Sequence, residues 1–337
     1  MKTVYVGLSG GVDSAVAAYL LKKEGYKVVG VFIKGWEPDF LPCTGVEDRL
    51  SAMRVAAHLQ IPFKTYDLSQ EYKKSVVDYF VDEYRAGRTP NPDVMCNRTI
   101  KFGAMWKRAK KEGADYIATG HYAETNGLAL RAGKDKSKDQ SYFLWMLGKD
   151  DLKHTLFPIG KYKKAEIRAL AKKIKLPNAV RPDSQGLCFL GHVDMREFLK
   201  RYLPTQVGKV YNEKHQEVGE HDGAWFYTLG QHVPVSADKR LYVIDKDVEK
   251  NELYVSSSAK PVEGASDYAL NDVRWVGGTA PTGALAAQYR YHGPLVAVSL
   301  VGDGVRFKEP VLVAPGQSVV IYSSDGGICY GGGIIEG

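Results

Sequence analysis

The sequence predicts an α/β protein in which a doubly wound parallel sheet is followed by two small, mainly β domains, the last of them barrel-like. Short apolar strands alternate with helical stretches through the first half of the 337 residues, a rhythm typical of parallel sheets covered by helices. After residue 204 the chain changes to short alternating segments with turn residues between them. We therefore expect domains at 1–204, 205–260 and 261–337.

The elements of the first domain follow from its apolar pattern. The strand TVYVGL (3–8) leads into a helix that starts near Asp13 and Ser14, both good N-caps, and ends at Gly25. Further strands are expected at 27–33, 62–68 and 115–122, with helices near 47–60, 70–86 and 101–111. Because ligands of such sheets bind at the carboxyl ends of the strands, residues 8–14 and 119–122 are expected to converge on one site.

Two later stretches of the first domain are also informative. The Asn126-Gly127 pair predicts a β-hairpin. Residues 161–175 place apolar side chains at helical spacing and cover the rest with lysines. That pattern leaves two interpretations open, a solvated face of an amphipathic helix or a surface that contacts phosphate.

The composition is that of an ordinary globular protein with a moderate basic excess. Lys and Arg number 46 against 39 Asp and Glu, which gives a formal charge of +7 and suits a polyanionic partner. We find no charged-then-apolar leader and no uninterrupted apolar run of about 18 residues. A cytoplasmic protein with no membrane partner is the expectation. The four cysteines lack zinc-like spacing, so a structural zinc site is not expected.

The stretch GLSGGVDS (7–14) has the form of a phosphate-binding loop. A strand ends, glycines make a tight turn, and a helix begins, so that backbone N–H groups and the positive end of the helix face an anion. The motif lacks the lysine with which a Walker A loop stabilises negative charge on a transferred γ-phosphoryl group. A loop that binds pyrophosphate through backbone groups, without a lysine, is suited to a reaction in which a nucleophile attacks the α-phosphorus of ATP. Pyrophosphate then leaves as one unit. The motif resembles the pyrophosphatase loop (PP-loop) of the N-type ATP pyrophosphatases.

Longer stretches narrow the resemblance to one family. They are RTPNPDVMCNRTIKF (88–102), DYIATGHYA (115–123), KDQSYFL (138–144), RPDSQGLCFLG (181–191), REFLKRYLP (196–204), YTLGQ (227–231), YVIDKDVEKNELYV (242–255) and APGQSVVIY with GGGIIE (314–336). Together they resemble the tRNA 2-thiouridylases from end to end. The resemblance implies ATP-dependent 2-thiolation of the wobble uridine, U34, through a tRNA adenylated on O2.

The resemblance assigns the sulfur chemistry to two cysteines. Cys96 matches the nucleophile of the family, and Cys188 matches the cysteine that carries persulfide sulfur, so a transient Cys96–Cys188 disulfide is implied. Asp93 fits a general acid/base or base-positioning role, although an Asp in a Pro-rich turn is also a common turn residue. Asn91 and Pro92, together with Asp93, match the segment that faces the target base. Cys43 and Cys329 match no sulfur-carrying motif and are expected to be structural or incidental.

The resemblance also assigns the ATP site. Its loop comprises Gly7, Leu8, Ser9, Gly10, Gly11, Val12, Asp13 and Ser14. Gly120 is implied in the nucleotide pocket, and Ile33 occupies a position where related chains often have methionine. Asp13 is a candidate to help hold Mg²⁺, which would spread charge as pyrophosphate departs.

Further residues are implied to contact tRNA. Lys138, Asp139 and Gln140 match a tRNA-contacting turn, and His121 and Gln317 match positions that border the target nucleotide. Gln288 and Tyr289 stand where the family has an Arg-Tyr pair, so Gln288 departs from that pattern, and Arg290 is a candidate to supply the charge. The implied partners are tRNA with U34, recognised at its anticodon arm, and a cysteine desulfurase with sulfur-relay proteins as donors.

Two other interpretations remain open. Another PP-loop adenylating enzyme, such as an amidating synthetase or a different tRNA thiolase, would share the loop, although amidation needs no cysteine pair. A non-catalytic tRNA-binding protein is the other alternative, and the intact SGGVDS loop together with both cysteine motifs argues against it.

Overall fold

The computed structural model describes residues 1–38, 40, 45–183, 194–235, 239–257 and 265–336. The strands of the first domain are β1 (Thr3–Gly7), β2 (Lys27–Lys34), β3 (Phe63–Asp67), β4 (Tyr116–Ala118), β5 (Ala123–Thr125), β6 (Leu130–Ala132) and β7 (Thr155–Leu156). Five of them form an entirely parallel sheet in the order β3-β2-β1-β4-β7. The predicted parallel α/β sheet is confirmed. Its strand order reverses direction at β1, where ligands of such sheets bind.

The α-helices lie largely where the apolar pattern predicts them. They are α1 (Val12–Lys23), α2 (Gly45–His58), α3 (Ser69–Tyr72), α4 (Asp78–Arg85), α5 (Pro92–Met95), α6 (Met105–Lys111), α7 (Lys149–Leu152), α8 (Lys164–Lys173) and α9 (Met195–Leu199). Two predictions need correction. The helix expected near 101–111 begins at Pro92, and α1 is capped by Gly11 instead of Asp13 or Ser14, because the helix already begins at Val12. The Asn91 side chain accepts the N–H of Val94 at 3.4 Å, and proline is tolerated in a first helical turn.

Two π-helical turns interrupt the long helices of the first domain, at Lys73–Val77 and Cys96–Ala104. In each, a hydroxyl donates back to the carbonyl four residues earlier, Ser75 to Glu71 and Thr99 to Met95, both at 2.7 Å. Such bonds compete with the helical backbone ladder. The two hydroxyls also lie 2.9 Å apart, so the widened turns support each other.

The remaining strands build two further sheets. They are β8 (Gly208–Asn212), β9 (Glu217–His221), β10 (His232–Val233), β11 (Leu241–Asp247), β12 (Glu252–Ser256), β13 (Ala265–Trp275), β14 (Leu285–Gln288), β15 (Val296–Val301), β16 (Gly304–Val311), β17 (Ser318–Ser323) and β18 (Ile328–Ile335). The middle domain holds the sheet β10-β11-β12-β8-β9, and β13-β16-β15-β14-β17-β18 closes into a barrel through pairing of β13 with β18.

The barrel is joined to the first domain by strand pairing. The hairpin β5–β6, which forms around Asn126-Gly127 as predicted, adds to the barrel because Ile328 and Cys329 of β18 pair with β6. Next to it, the Tyr142 hydroxyl donates to the Ser318 carbonyl at 3.0 Å. Apolar side chains of all three domains belong to one continuous core. In the part of the chain that the structure describes, no helix is both long and apolar enough to cross a bilayer.

Candidate active site

The phosphate loop lies between β1 and α1, at the carboxyl edge of the parallel sheet. Gly11 is the N-cap of α1, and among the described residues no side chain caps this helix, so its first N–H groups stay available to an anion. Gly10 has φ +81°, and a Cβ there would lie 2.6 Å from the Asp48 carbonyl oxygen. Only glycine fits this position without strain.

The carbonyl of Gly10 anchors the loop to distant parts of the same domain. It accepts hydrogen bonds from Ser51 Oγ at 2.9 Å, Asn178 Nδ2 at 2.8 Å and Arg181 Nη1 at 3.3 Å. Arg181 is also paired with Asp48. These contacts anchor the loop to α2 and to the segment that follows α8.

A lysine stands beside the loop, although the motif itself has none. Lys164, the first residue of α8, places its Nζ 2.8 Å from both carboxylate oxygens of Asp13 and 2.8 Å from Asp183. Its side chain is only 14% exposed, and the Tyr122 hydroxyl also donates to Asp13, at 2.9 Å. The sequence pattern alone does not distinguish Lys164 from the other lysines of this helix. The lysine-rich helix 161–175 carried the signal, as its phosphate-contacting interpretation.

The end of β4 packs directly against the loop, as expected. A Cβ on Gly120 would lie 2.7 Å from the Ser14 nitrogen and 2.8 Å from the Asp13 carbonyl carbon. Ile33 lies near the carboxyl end of β2, where it pairs with Tyr66 of β3. The residues predicted for the nucleotide pocket therefore share one edge of the sheet.

One helical start, residues 91–96, carries Asn91, Pro92, Asp93 and Cys96. We call it the catalytic segment because the sequence resemblance predicts the nucleophile and the acid/base residue there. The Cys96 side chain is 3% exposed and lies at the junction of α5 with the second π-helical turn. Burial raises the pKa of Asp93, and the positive charge of Lys101 opposes that shift. A carboxyl group with a raised pKa is suited to proton transfer near neutral pH.

His121 and the catalytic segment are linked through Lys101, which sequence analysis missed. The His121 ring is buried, packs 5.9 Å from the Phe102 ring centroid, and has its Nδ1 2.6 Å from Thr119 Oγ1. Burial, followed by Lys101, lowers the pKa of His121, so its imidazole is neutral at pH 7. Lys101 thus acts electrostatically on both Asp93 and His121.

The helix that carries Cys96 reaches the phosphate loop through its continuation. Met105, at the start of α6, lies 3.8 Å from the position of a Cβ on Gly7. From Pro92 to Lys111 the chain is helical without a break. One helix therefore joins the catalytic segment to the end of β1.

The turn at Lys138, Asp139 and Gln140 is held mainly by its own side chains. Asp139 accepts the Gly133 N–H and the Ser141 hydroxyl, at 2.8 and 2.7 Å, and Gln140 Oε1 accepts the Tyr122 N–H at 3.0 Å. Lys138 is exposed and only 3.9 Å from Asp183. Of the three, Lys138 has the side chain most open to a partner.

The predicted barrel residues fall in different places. Gln317 reaches the first domain, where its Nε2 donates to the Thr89 carbonyl at 2.7 Å. Tyr289 instead packs edge-on against Phe307 of the barrel core, and Gln288 Nε2 donates to the Gly293 carbonyl. These contacts place neither the Tyr289 ring nor the Gln288 side chain at the catalytic segment.

A neighbouring tyrosine, Tyr291, does lie beside the catalytic segment. Its ring is 4.3 Å from that of Phe143, and it is 37% exposed. Burial raises the pKa of Tyr291 to about 12, with further contributions from Asp139 and Asp93. Both tyrosines of QYRY follow the end of β14 at Gln288, in a bend and turn where no strand or helix period predicts the direction of a side chain.

Two of the four cysteines, Cys96 and Cys329, lie in the part of the chain that the structure describes. Cys188 and Cys43 lie outside the described residues, so the proposed Cys96–Cys188 pairing has no geometry here. Cys329 is buried in β18, and burial raises its pKa to about 12, which makes it a poor nucleophile. Across the described ranges no group of three or more His, Cys, Asp or Glu side chains is arranged to hold a metal ion.

Three family models match successive parts of the chain. The tRNA methyl transferase HUP domain covers residues 2–192, the tRNA methyl transferase PRC-barrel domain residues 196–257, and the aminomethyltransferase beta-barrel domain residues 266–335. Together they span the parallel sheet, the middle sheet and the barrel.

Full-length relatives carry a more specific name. The chain is 44% identical to the tRNA-specific 2-thiouridylase MnmA of Nitrosomonas europaea, with 99% of this chain and 98% of the relative covered. It is 41% identical to the MnmA of Listeria monocytogenes, with coverage of 99% and 94%. A solved 4-thiouridine synthetase–RNA complex with bound ATP is 21% identical over 60% of this chain and 50% of that chain, with a TM-score of 0.36.

Proposed function

The chain belongs to the tRNA-specific 2-thiouridylase family, and from that premise we propose that it replaces the C2 oxygen of U34 in tRNA by sulfur. ATP is split to AMP and pyrophosphate, and the product is 2-thiouridine. One observation carries the proposal: a single helix connects Asp93 and Cys96 to Met105, which packs on the end of the strand that enters the phosphate loop. The matching family models are described as methyl transferases, but a buried acid and cysteine on that helix favour sulfur transfer.

In the first step the O2 oxygen of the uridine attacks the α-phosphorus of ATP, and pyrophosphate leaves. The free N–H groups at the start of α1 receive phosphate oxygens, and Lys164 supplies positive charge next to them. Because Gly120 has no side chain, the segment after β4 can pack directly against the backbone of Asp13 and Ser14 in the phosphate loop. Ile33 lines the end of the neighbouring strand.

Mg²⁺ bound with ATP would spread the charge of the departing pyrophosphate. Asp13 is the residue at the loop that would hold it, and one carboxylate suits an ion that takes most of its ligands from phosphates and water. Both oxygens of Asp13 contact Lys164, so this ammonium would have to move toward Asp183 or the phosphates.

Asp93 is suited to manage the proton of the uridine. When O2 attacks phosphorus, N3 of the ring loses its proton, and thiolation later returns a proton to N3. The raised pKa of Asp93 fits a group that accepts and then gives back this proton. The charge of Lys101 acts on both Asp93 and His121, and burial together with that charge lowers the pKa of His121 and so favours the neutral imidazole.

Sulfur then replaces AMP at C2. Either the terminal sulfur of a Cys188 persulfide attacks C2, or the Cys96 thiolate first cleaves the persulfide and frees hydrosulfide that attacks. In both routes the Cys96 thiolate attacks the Cys188 sulfur, the S–S bond breaks, and a Cys96–Cys188 disulfide forms. A reductant must open that disulfide before the next turnover. A cysteine desulfurase and sulfur-relay proteins are the proposed donors, in the cytoplasm.

The three domains divide the contacts to tRNA in this proposal, with bounds at 1–204, 205–260 and 261–337. Asn91, Pro92, His121 and Gln317 border the flipped-out target base, and Lys138 meets the backbone while Asp139 and Gln140 hold its turn. We assign the base-stacking role in the barrel to Tyr291, with Arg290 supplying charge, in place of Tyr289 and Gln288.

Nucleoside mass spectrometry tests the proposed function directly. Unmodified tRNA is incubated with the protein, ATP, Mg²⁺ and a sulfide source. We expect 2-thiouridine at position 34 only when ATP is present. Splitting of ATP to AMP without thiouridine would favour another adenylating enzyme, and tRNA binding with no ATP splitting would favour a non-catalytic tRNA-binding protein.

A further inference from the structure

Thr89 is the point at which all three domains meet, two residues before the catalytic segment. Its backbone N–H donates to the Pro315 carbonyl at 2.7 Å, and its carbonyl accepts Gln317 Nε2 at 2.7 Å. Its hydroxyl is hydrogen-bonded to the hydroxyl of Thr228 in the middle domain. The three polar groups of Thr89 are thus bound by the other two domains.

Both partners of Thr89 are themselves firmly held. The barrel turn at 314–317 is tied to β18, because Gly316 donates to Ile335 and Ile335 donates to Gln317, both at 2.9 Å. In the middle domain the Thr228 N–H donates to Gln231 Oε1 at 3.1 Å. Thr89 is therefore bound to two segments that are themselves hydrogen-bonded within their own domains.

The approach of the barrel turn to Thr89 is as close as backbone allows. Gly316 has φ +86°, and a Cβ there would lie 3.0 Å from both Arg88 Cβ and the Thr89 nitrogen. A side chain at 316 would push the two domains apart.

The position of Thr89 is transmitted along the chain by two prolines. Pro90 and Pro92 have fixed φ angles, and each restricts the residue before it. Asn91 between them caps the helix that carries Asp93 and Cys96. A shift of Thr89 therefore moves the start of that helix instead of being absorbed by the linker.

We propose that Thr89 is a positioning residue through which the middle domain and the barrel set the catalytic segment in its reactive placement. Resting on the proposed function, this gives the two C-terminal domains a part in the chemical step besides any grip on tRNA. We call the two hydrogen bonds that hold Thr89, one to Thr228 and one to Gln317, the clasp.

Two matched pairs of variants test the clasp. Thr89→Val removes the hydroxyl and keeps the shape, whereas Thr89→Ser keeps the hydroxyl. Gly316→Ala adds a methyl group against Thr89, whereas Gly278→Ala has a similar φ of +84° and no atom within 4 Å of the new methyl. Thermal unfolding identifies any variant that fails to fold.

Steady-state thiolation provides the first readout. Losing one hydrogen bond changes an equilibrium by about two- to tenfold, so we expect Thr89→Val to lower kcat by about fivefold with KM for tRNA unchanged. Thr89→Ser should stay within about twofold of the unsubstituted protein. The double variant T89V/T228V should be no slower than either single variant, because the two hydroxyls act as one bond.

Alkylation of Cys96, followed by peptide mass spectrometry, provides a second readout that does not depend on thiolation. Thr89→Val and Gly316→Ala should speed alkylation of Cys96, while the buried Cys329 serves as the internal reference. If the unsubstituted protein makes no thiouridine, the proposed function fails but this readout still tests the clasp. Equal alkylation rates within both matched pairs, or a loss that appears only in KM for tRNA, would overturn the clasp.

Discussion

The phosphate loop and the catalytic segment both connect to the parallel sheet at β1, yet they are held by different parts of the molecule. The loop is fixed through Gly10 and Asp13 by Ser51, Asn178, Arg181 and Lys164, all within the first domain. The catalytic segment follows Thr89, which is bound from the middle domain and the barrel. Under the proposed function, the nucleotide half of the site, which contains the phosphate loop, is held by contacts within one domain. The sulfur half, which contains the catalytic segment, follows a residue that is bound by the other two domains.

The largest effect is expected when the Cys96 thiol, the proposed reacting group of the sulfur half, is replaced. Cys96→Ser should reduce thiolation by more than about a thousandfold, because a hydroxyl cannot open a persulfide. Formation of AMP and pyrophosphate should persist, since the loop is held independently. The matched control is Cys329→Ala, which removes a buried thiol to which no sulfur chemistry is assigned. Loss of AMP formation in Cys96→Ser would mean that the two halves are not separable.

Asp93→Asn should lower kcat by about a hundredfold to ten-thousandfold, the range of general acid–base catalysis. It should also raise the thermal stability at neutral pH. Because burial raises the folded-state pKa of Asp93, the protonated acid favours folding at low pH, and that contribution is lost as pH rises through the raised pKa. The stability gain of Asp93→Asn should therefore shrink as pH falls. A gain that is the same at pH 4 and pH 7 would contradict the raised pKa.

Gly120→Ala tests the nucleotide half. The added methyl group meets backbone atoms of Asp13 and Ser14, which cannot yield as a flexible side chain would. Overpacking of this kind costs about 1–3 kcal/mol, so we expect KM for ATP to rise by about tenfold or more. Gly277→Ala, with no atom within 4 Å of its new methyl, is the control. An unchanged KM for ATP would place the nucleotide elsewhere.

The smallest effect distinguishes the two barrel tyrosines. Tyr291→Ala should raise KM for tRNA by about tenfold, since stacking on an aromatic ring is worth about 1–3 kcal/mol per base. Tyr291→Phe keeps the ring and should behave like the unsubstituted protein. Tyr289→Ala should lower the melting temperature through lost packing on Phe307 while leaving KM for tRNA unchanged. The opposite result would restore the Tyr289 assignment.

The features that could be predicted from the sequence are those that local residue patterns encode. The parallel sheet, the hairpin at Asn126-Gly127 and the meeting of Gly120 with the loop all follow from alternation, turn residues and the geometry of strand ends. The start of the helix at Pro92 was missed because two prolines indicate a turn as readily as a first helical turn. Lys164 was left undecided because a lysine on an amphipathic helix has the same pattern whether it meets solvent or an anion.

Contacts between domains were beyond what sequence pattern can give. Thr89 and Thr228 are 139 positions apart, and Gln317 is 228 positions from Thr89, so no periodicity relates them. The same holds for the barrel tyrosines, which lie in the bend and turn after β14, where no periodicity predicts the direction of a side chain. These are the features that only the folded chain displays.

The pairing of β18 with β6 has a consequence for synthesis of the protein on the ribosome. The β5–β6 hairpin emerges early, but β18 is made only near the end of the described residues. At about 5–20 residues per second, β6 waits on the order of ten seconds or more with an unpaired edge. Until β18 is synthesised, the nascent chain therefore exposes the backbone N–H and C=O groups along this edge of β6.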